Sequence, residues 1–258
     1  MNKLTLTPLS GLPMIQPGDD LAALILAAMQ RADLRLEPGD IFVLAQKIVS
    51  KTEGRKVNLA TVIPSPRAQE LGAQIEKDPR LVELILRESS GDVLRTRPGL
   101  IIVEHRLGFV CANAGIDHSN VAGDDEWVLL LPENPDASAE KLRLQLEQAV
   151  EQIGNPPYLG VMIIDSHGRA WRNGTVGVAI GISGLPGVMD LRGQADLTGR
   201  ILQVTQVGAA DELAAAASLV MGQAAEGTPV VHVRGFPYPL REGTLQELIR
   251  PKALDLFR

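Results

Sequence analysis

Cysteine is almost absent: Cys111 is the single thiol in 258 residues. It cannot close an internal disulfide, and one Cys cannot make a zinc knuckle, so stability has to come from packing, and a reducing cytoplasm fits the chain. Positive charge is also in deficit, with 25 Lys and Arg against 31 Asp and Glu and a formal net charge of -6. That balance gives no general attraction to nucleic acid, although an acidic protein can still hold phosphate locally. Long apolar runs are missing too. The most apolar helical stretch, LAALILAAM from Leu21 to Met29, falls well short of the roughly 18 residues that span a bilayer. The opening MNKLTLTPLSGLP has neither the apolar centre nor the small-residue cleavage site of a secretory signal. The expectation is a cytoplasmic protein with no membrane step and no nucleic-acid partner.

What is present is an ordinary globular composition, 45% hydrophobic and 22% charged, with enough chain for one large core or two smaller ones. Apolar residues at Leu21, Leu24, Ile25, Ala28 and Met29 predict an amphipathic helix capped by Asp19. After Pro38-Gly39-Asp40, the run IFVLAQKIVS predicts a strand that delivers Gln46, Lys47 and Lys51 at or beyond its end. Residues 66–87 read as two helices broken at Asp78-Pro79. GLIIVEH and GFVCANAG predict a hairpin across RLG, leaving Asp117 just past a strand. A helix is expected from Ser138, whose capping box is imperfect because Lys141 stands where Glu belongs. LGVMIIDSHGR reads as a buried strand stopping at Asp165, TVGVAIGISG as a Gly-rich strand, ILQVTQV as a strand, ADELAAAASLVMG as a helix and TPVVHVRG as a last strand. Helices and strands interleave without a clean βαβ repeat, so the fold class is α+β with mixed or antiparallel sheets.

Asp117 in GIDHSN and Asp165 in IIDSHG each follow an apolar run and precede side-chain oxygens, Ser119, Asn120 and Ser166. Two carboxylates with such neighbours suit a hard divalent cation, magnesium or manganese; the alternative is that each Asp bonds backbone amides in a turn. His118 and His167 sit beside them, but without a second ligand at zinc spacing they read as solvated or backbone-bonded loop residues. Lys51, Arg169 and Arg172 are candidates for phosphate contacts, whereas Arg55 and Arg200 read as solvated surface. GQAAEGTP, residues 222–229, has the gap of a phosphate loop but Thr228 where Lys should stand, and it comes after a helix instead of preceding one. GVAIGISG lacks the glycine spacing of a dinucleotide fingerprint. Asn173-Gly174-Thr175 matches a glycosylation acceptor by chance. Composition and spacing stop at a soluble, enzyme-like domain with candidate positions for a divalent cation and for phosphates.

In order along the chain, GLPMIQPGDDL, GDIFVLAQKIVSKTEGR, CANAGIDHSNV, IIDSHGRAWRNGTVGVAIGISG and ADELAAAASLVMGQAAEGTPVVHVRG resemble the coenzyme F-420-0:L-glutamate ligase family. The resemblance spans most of the chain, and five ordered blocks are far more specific than any one. It implies a GTP-dependent amide ligase that adds L-glutamate, one or more residues and the later ones γ-linked, to the lactyl-phosphate tail of a deazaflavin. It also implies a family-specific fold forming an intertwined homodimer, with residues 1–258 as one catalytic unit that carries an inserted subdomain. Implied cofactors are GTP as co-substrate, one or two Mg2+ or Mn2+ ions, and K+ as an accessory cation.

By the same resemblance, Asp117, Asp165 and Ser166 match cation-binding positions, and Asp117, Asp165 and Lys51 the catalytic set. Leu12, Pro13, Met14 and Ile15 match a nucleotide-contacting segment, as do Gln46, Lys47 and Lys51, although Gln46 and Lys47 depart from the Ser-Thr pair expected of archaeal relatives. Asn120 matches another nucleotide contact. Met221, Gly222, Gln223, Ala224, Ala225, Glu226, Gly227 and Thr228 match the last such segment. Gln223 stands where relatives can carry a Glu that holds a second cation; its neutral oxygen supplies no charge, so that cation is expected to be weaker or shared with Glu226 or water. Two other functions remain open, a ligase of the same fold acting on another carboxylate acceptor, and a module that binds GTP without turnover.

Overall fold

The computed structural model describes residues 3–118, 125–151 and 158–256. In chain order the elements are β1 (Thr5–Pro8), α1 (Leu21–Arg31), β2 (Ile41–Ala45), α2 (Gln46–Thr52), β3 (Lys56–Asn58), α3 (Pro66–Gln74), α4 (Pro79–Arg87), β4 (Ser89–Arg97), β5 (Leu100–His105), β6 (Val110–Ala112) and β7 (Trp127–Leu129). They continue with α5 (Pro135–Glu151), β8 (Gly160–Arg169), β9 (Arg172–Ser183), β10 (Met189–Asp190), β11 (Gln206–Val207), α6 (Ala209–Met221) and β12 (Val230–Arg234).

A five-stranded sheet of order β1-β12-β2-β8-β9 organises the molecule, with β2 and β8 parallel and every other neighbouring pair antiparallel. This is the expected α+β class with a mixed sheet. Strand β2 is apolar on both faces because both are covered. Phe42 and Leu44 pack with Ile25 of α1 and Leu146 of α5, while Ile41 and Val43 pack on the opposite face with Leu213 and Ala217 of α6. Helix α6 lies directly on β9 because Gly177 leaves room; a Cβ there would come within 2.6 Å of the Ala214 carbonyl oxygen. A third core, from Leu59 to Leu130, joins α3 and α4 to the antiparallel sheet β4-β5-β6.

The hairpin β5–β6 and the helix pair broken at Asp78-Pro79 are as the sequence predicts, with Asp78 accepting from Arg80 N. Several boundaries differ for local reasons. The cap of α1 is Asp20, which accepts from Ala23 N, while Asp19 accepts from Gln16 N in the preceding turn. The strand through IFVLAQKIVS stops at Ala45, and Gln46–Thr52 is helical. Helix α5 starts three residues before Ser138, with Asn134 Oδ1 accepting from Ala137 N. Strand β8 runs beyond Asp165 to Arg169, paired throughout with β9. In ILQVTQV only Gln206–Val207 is strand, apart from an isolated bridge at Ile201. Strand β4 carries no clean alternation, and its pairing with β5 is irregular, with register shifts at Val93.

Candidate functional site

The parallel pair β2 and β8 brings Ala45 and Ile164 together as register partners. The residues just beyond them are therefore set side by side: Gln46 opens α2, and Asp165 and Ser166 continue β8. The last turn of α6 and residues 222–229 form a second wall, where Gly222 at φ +80 turns the chain out of the helix. Residues 12–15 form a third. Together these segments line a cavity of about 420 Å³. Leu12, Pro13, Met14, Ile15, Gln46, Lys47, Lys51, Asp165, Ser166 and all of Met221–Thr228 border it, so segments separated by more than a hundred residues meet at one cavity.

A polar chain crosses the floor of the cavity. Ser166 Oγ donates to Gln223 Oε1 at 2.8 Å, and Gln223 Nε2 donates to Ser218 Oγ at 2.9 Å. Ser218 and Ser166 thereby hold the Gln223 amide between two hydroxyls. Alternate residues of a strand share a face, and His167 Nε2 accordingly lies 3.2 Å from Asp165 Oδ2, its ring tilted against Phe109. On α2, Lys47 and Lys51 are one turn apart. Burial, and then the charges of Lys47 and Lys56, hold the Lys51 ammonium below its ordinary range, a strain that an entering phosphate would relieve.

Asp117 does not border the cavity; it is joined to it through Lys47, whose Nζ is 2.7 Å from Asp117 Oδ2. Asn113, Ala114 and Gly115 precede it with φ of +52, +52 and +67, a left-handed turn in which Ala114 is fully buried. L-residues resist that conformation, and the surrounding packing imposes it. Asp117 N and O then both pair with Leu129, which anchors the carboxylate's backbone.

Ser119 and Asn120 lie outside the described residues. Arg169, Arg172 and Arg200 are exposed and do not border the cavity. Arg55 is not a solvated surface residue: it donates to the Leu131 carbonyl and to both oxygens of Glu88. His118 is exposed, as expected of a loop histidine, but His167 is on a strand, half-buried against Asp165. The loop reading of His167 follows from ending β8 at Asp165; continuing the strand by two residues places both on one face. Ser218 was missed, and no sequence signal marks it.

No group of three or more His, Cys, Asp or Glu capable of holding a metal occurs among the described residues. The candidate oxygen donors at the cavity are the Asp165 carboxylate, the Ser166 hydroxyl and the Gln223 amide oxygen, with the Asp117 carboxylate outside its lining. All are oxygens, which fits magnesium or manganese and not a softer metal. Glu226 Oε2 accepts from Ala224 N, so its carboxylate is engaged in its own loop.

Residues 11–235 match the sequence profile of a family described as F420-0:Gamma-glutamyl ligase. The chain is 48% identical over 257 residues to the coenzyme F420:L-glutamate ligase of Methanothermobacter thermautotrophicus, covering 99% of each chain. It is 46% identical to the enzyme of that name from Methanopyrus kandleri, over 95% of this chain and 93% of the other, and 41% identical to that of Halobacterium salinarum, over 96% and 93%.

Proposed function

The chain belongs to the F420-0:Gamma-glutamyl ligase family and is a ligase, and on that premise we propose that it uses GTP to form an amide between L-glutamate and the carboxylate tail of the coenzyme F-420 precursor. The observation that carries this proposal is the convergence of residues 12–15, Gln46, Lys47, Lys51 and 221–228 on one cavity beside Asp165 and Ser166.

A carboxylate is a poor acyl donor in water because oxide is a poor leaving group. In the proposed reaction the tail carboxylate oxygen attacks the γ-phosphorus of GTP, and the bond to the β,γ-bridging oxygen breaks, releasing GDP. The glutamate α-amine then adds to the acyl carbon, the carbon–oxygen bond to phosphate breaks, and the amine proton leaves to solvent. Lys51 and Lys47 offset charge on the phosphates, and the cavity walls hold acceptor and donor in reach. Asp117, Asp165, Ser166 and Gln223 would hold magnesium or manganese, which when bound supplies charge neutralisation at the phosphate oxygens. With Gln223 neutral, a second ion is held more weakly than the first. No side chain has to act as a covalent nucleophile. The chain functions as one catalytic unit, in the cytoplasm and as a homodimer, and the number of glutamates added is set by how far the lengthened tail can still reach the γ-phosphate.

The test is glutamate incorporation coupled to GDP release, with purified protein, deazaflavin acceptor, Mg2+ or Mn2+, and assays with and without K+, products being weighed by mass spectrometry. Expected are mass increments of glutamyl units that require both GTP and the cation. Asp165→Asn should lower turnover by about 10²-fold or more while leaving the fold intact. GTP binding without product would remove the acceptor assignment, and near-parental turnover in Asp165→Asn would remove the cation site.

A further inference from the structure

His167 has no part in the proposed reaction, yet its surroundings point to the cation. Its Nε2 lies 3.2 Å from Asp165 Oδ2, on the same face of β8. That nitrogen is buried and makes no hydrogen bond among the described residues. A neutral imidazole carries a proton on one nitrogen and a lone pair on the other. With the proton on Nε2, so close a carboxylate would be met by a hydrogen bond. With the lone pair there, two electron-rich atoms face each other and repel unless a cation lies between them.

The spacing suits such a cation, because two ligands about 2.1 Å from one ion and at roughly right angles stand about 3.0 Å apart. The imidazole is also held in place. Phe109 packs against it with ring centroids 5.3 Å apart, and Phe109 is itself stacked at 5.0 Å on the fully buried His105. The side chains of His167 and Asp165 keep 12% and 16% exposure, so a small ion can reach the pair from water.

We propose that His167 Nε2 ligates the divalent cation together with Asp165. This rests on the reading of Asp165 as a cation ligand and adds one nitrogen to a donor set otherwise made of oxygens. Magnesium takes oxygen ligands and gives up its water reluctantly, whereas imidazole nitrogen is a better ligand for a transition ion. The pair therefore favours manganese over magnesium.

The test is electron spin-echo envelope modulation of Mn2+ bound to nucleotide-free protein, which detects a directly ligated nitrogen, does not depend on activity and keeps guanine nitrogens out of the spectrum. The parent should show imidazole modulation. His167→Phe, which keeps a ring against Phe109, should abolish it and weaken Mn2+ binding by about tenfold or more, with Mg2+ affinity changed far less. His118→Asn, altering the exposed histidine next to Asp117, should leave the modulation intact. The parent spectrum needs no variant, so a folding defect in His167→Phe does not remove the decisive reading. Mn2+ binding that requires Asp165 but gives no nitrogen modulation in the parent, or modulation that survives in folded His167→Phe, would overturn the nitrogen ligand and leave the cation site standing. Parental Mn2+ binding by Asp165→Asn would overturn the cation reading at Asp165 and this proposal with it.

Discussion

Glu88 is a carboxylate placed among three basic side chains. Arg55 Nη2 donates to both of its oxygens at 3.0 Å, Arg106 Nε donates to Oε2 at 3.1 Å, and His105 Nε2 lies 3.7 Å away. Burial alone would raise its pKa, but His105, Arg55 and Arg106 together outweigh that and bring it down to about 2. Because the folded value lies below the unfolded one, the stabilisation is present above the ordinary carboxyl range and is lost as pH falls from about 4.5 toward 2, on the order of 2–3 kcal/mol in total. Glu88→Gln should therefore destabilise the protein at pH 7 and flatten the acid limb of its stability curve, checked by urea unfolding at a series of pH values; an unaltered acid limb would contradict it. None of this cluster was legible in the sequence. Arg55 looks like surface because its partner is 33 residues away, and only the third core brings them together. The Asp19 and Asp20 pair shows the opposite case: the helix start was plain, and only the choice between adjacent carboxylates depended on the preceding turn.

Elements with clear periodicity or a proline break, such as α1, α4 and α6, were legible, whereas β4 and the full length of β8 were not. Their patterns are blurred because β4 is irregularly paired and the outer half of β8 is exposed, so neither alternates cleanly. Strand β9 poses a further problem that sequence does not announce, since it is the edge of the five-stranded sheet. Its outward amides have no ladder partner, and partly buried carboxylates take two of them around the register shift at Ala179–Gly181: Ala179 N donates to Asp211 Oδ1 and Ile182 N to Asp136 Oδ1. Asp136 also accepts from Leu245 N, tying the C-terminal segment to the start of α5. Burial raises the Asp136 carboxyl, only partly offset by those two amides, so its ionisation opposes folding and stability is gained as pH drops through the raised value. Asp136→Ala should cost about 2–4 kcal/mol by stranding two buried donors, and Asp136→Asn, which keeps an acceptor and removes the charge, should cost far less or nothing. Thermal unfolding of the two variants side by side decides it, and equal losses would mean the carboxylate's charge, not its acceptor oxygen, holds the edge.

At the scale of the whole molecule, the class of fold was readable from interleaved helices and strands, but the cavity was not, because no local pattern says that residues 12–15, 46–51 and 221–228 meet. What brings them together is the order of one sheet: β12 beside β2 sets residues 221–228 next to Gln46, β1 beside β12 brings in residues 12–15, and the parallel pairing of β2 with β8 adds Asp165 and Ser166 across the long intervening segment. The same sheet leaves the connection between β10 and β11 outside every core. That connection exposes three large apolar side chains within a few residues of one another, Leu197, Ile201 and Val204. Water penalises such a concentration of apolar surface, and a self-complementary contact between two copies would relieve it symmetrically. The proposed homodimer therefore has a specific place to be disrupted. Leu197→Asp combined with Val204→Asp puts two charges into an interface that must bury them unpaired, while neither residue touches a core of the monomer, so the fold should survive. In sedimentation velocity at micromolar concentration the parent should run as a dimer and the double variant as a monomer with an unchanged circular dichroism spectrum. If the double variant still sediments as a dimer, the interface lies elsewhere; if the parent itself is a monomer, the dimer is removed from the account of this chain, and each cavity must work alone.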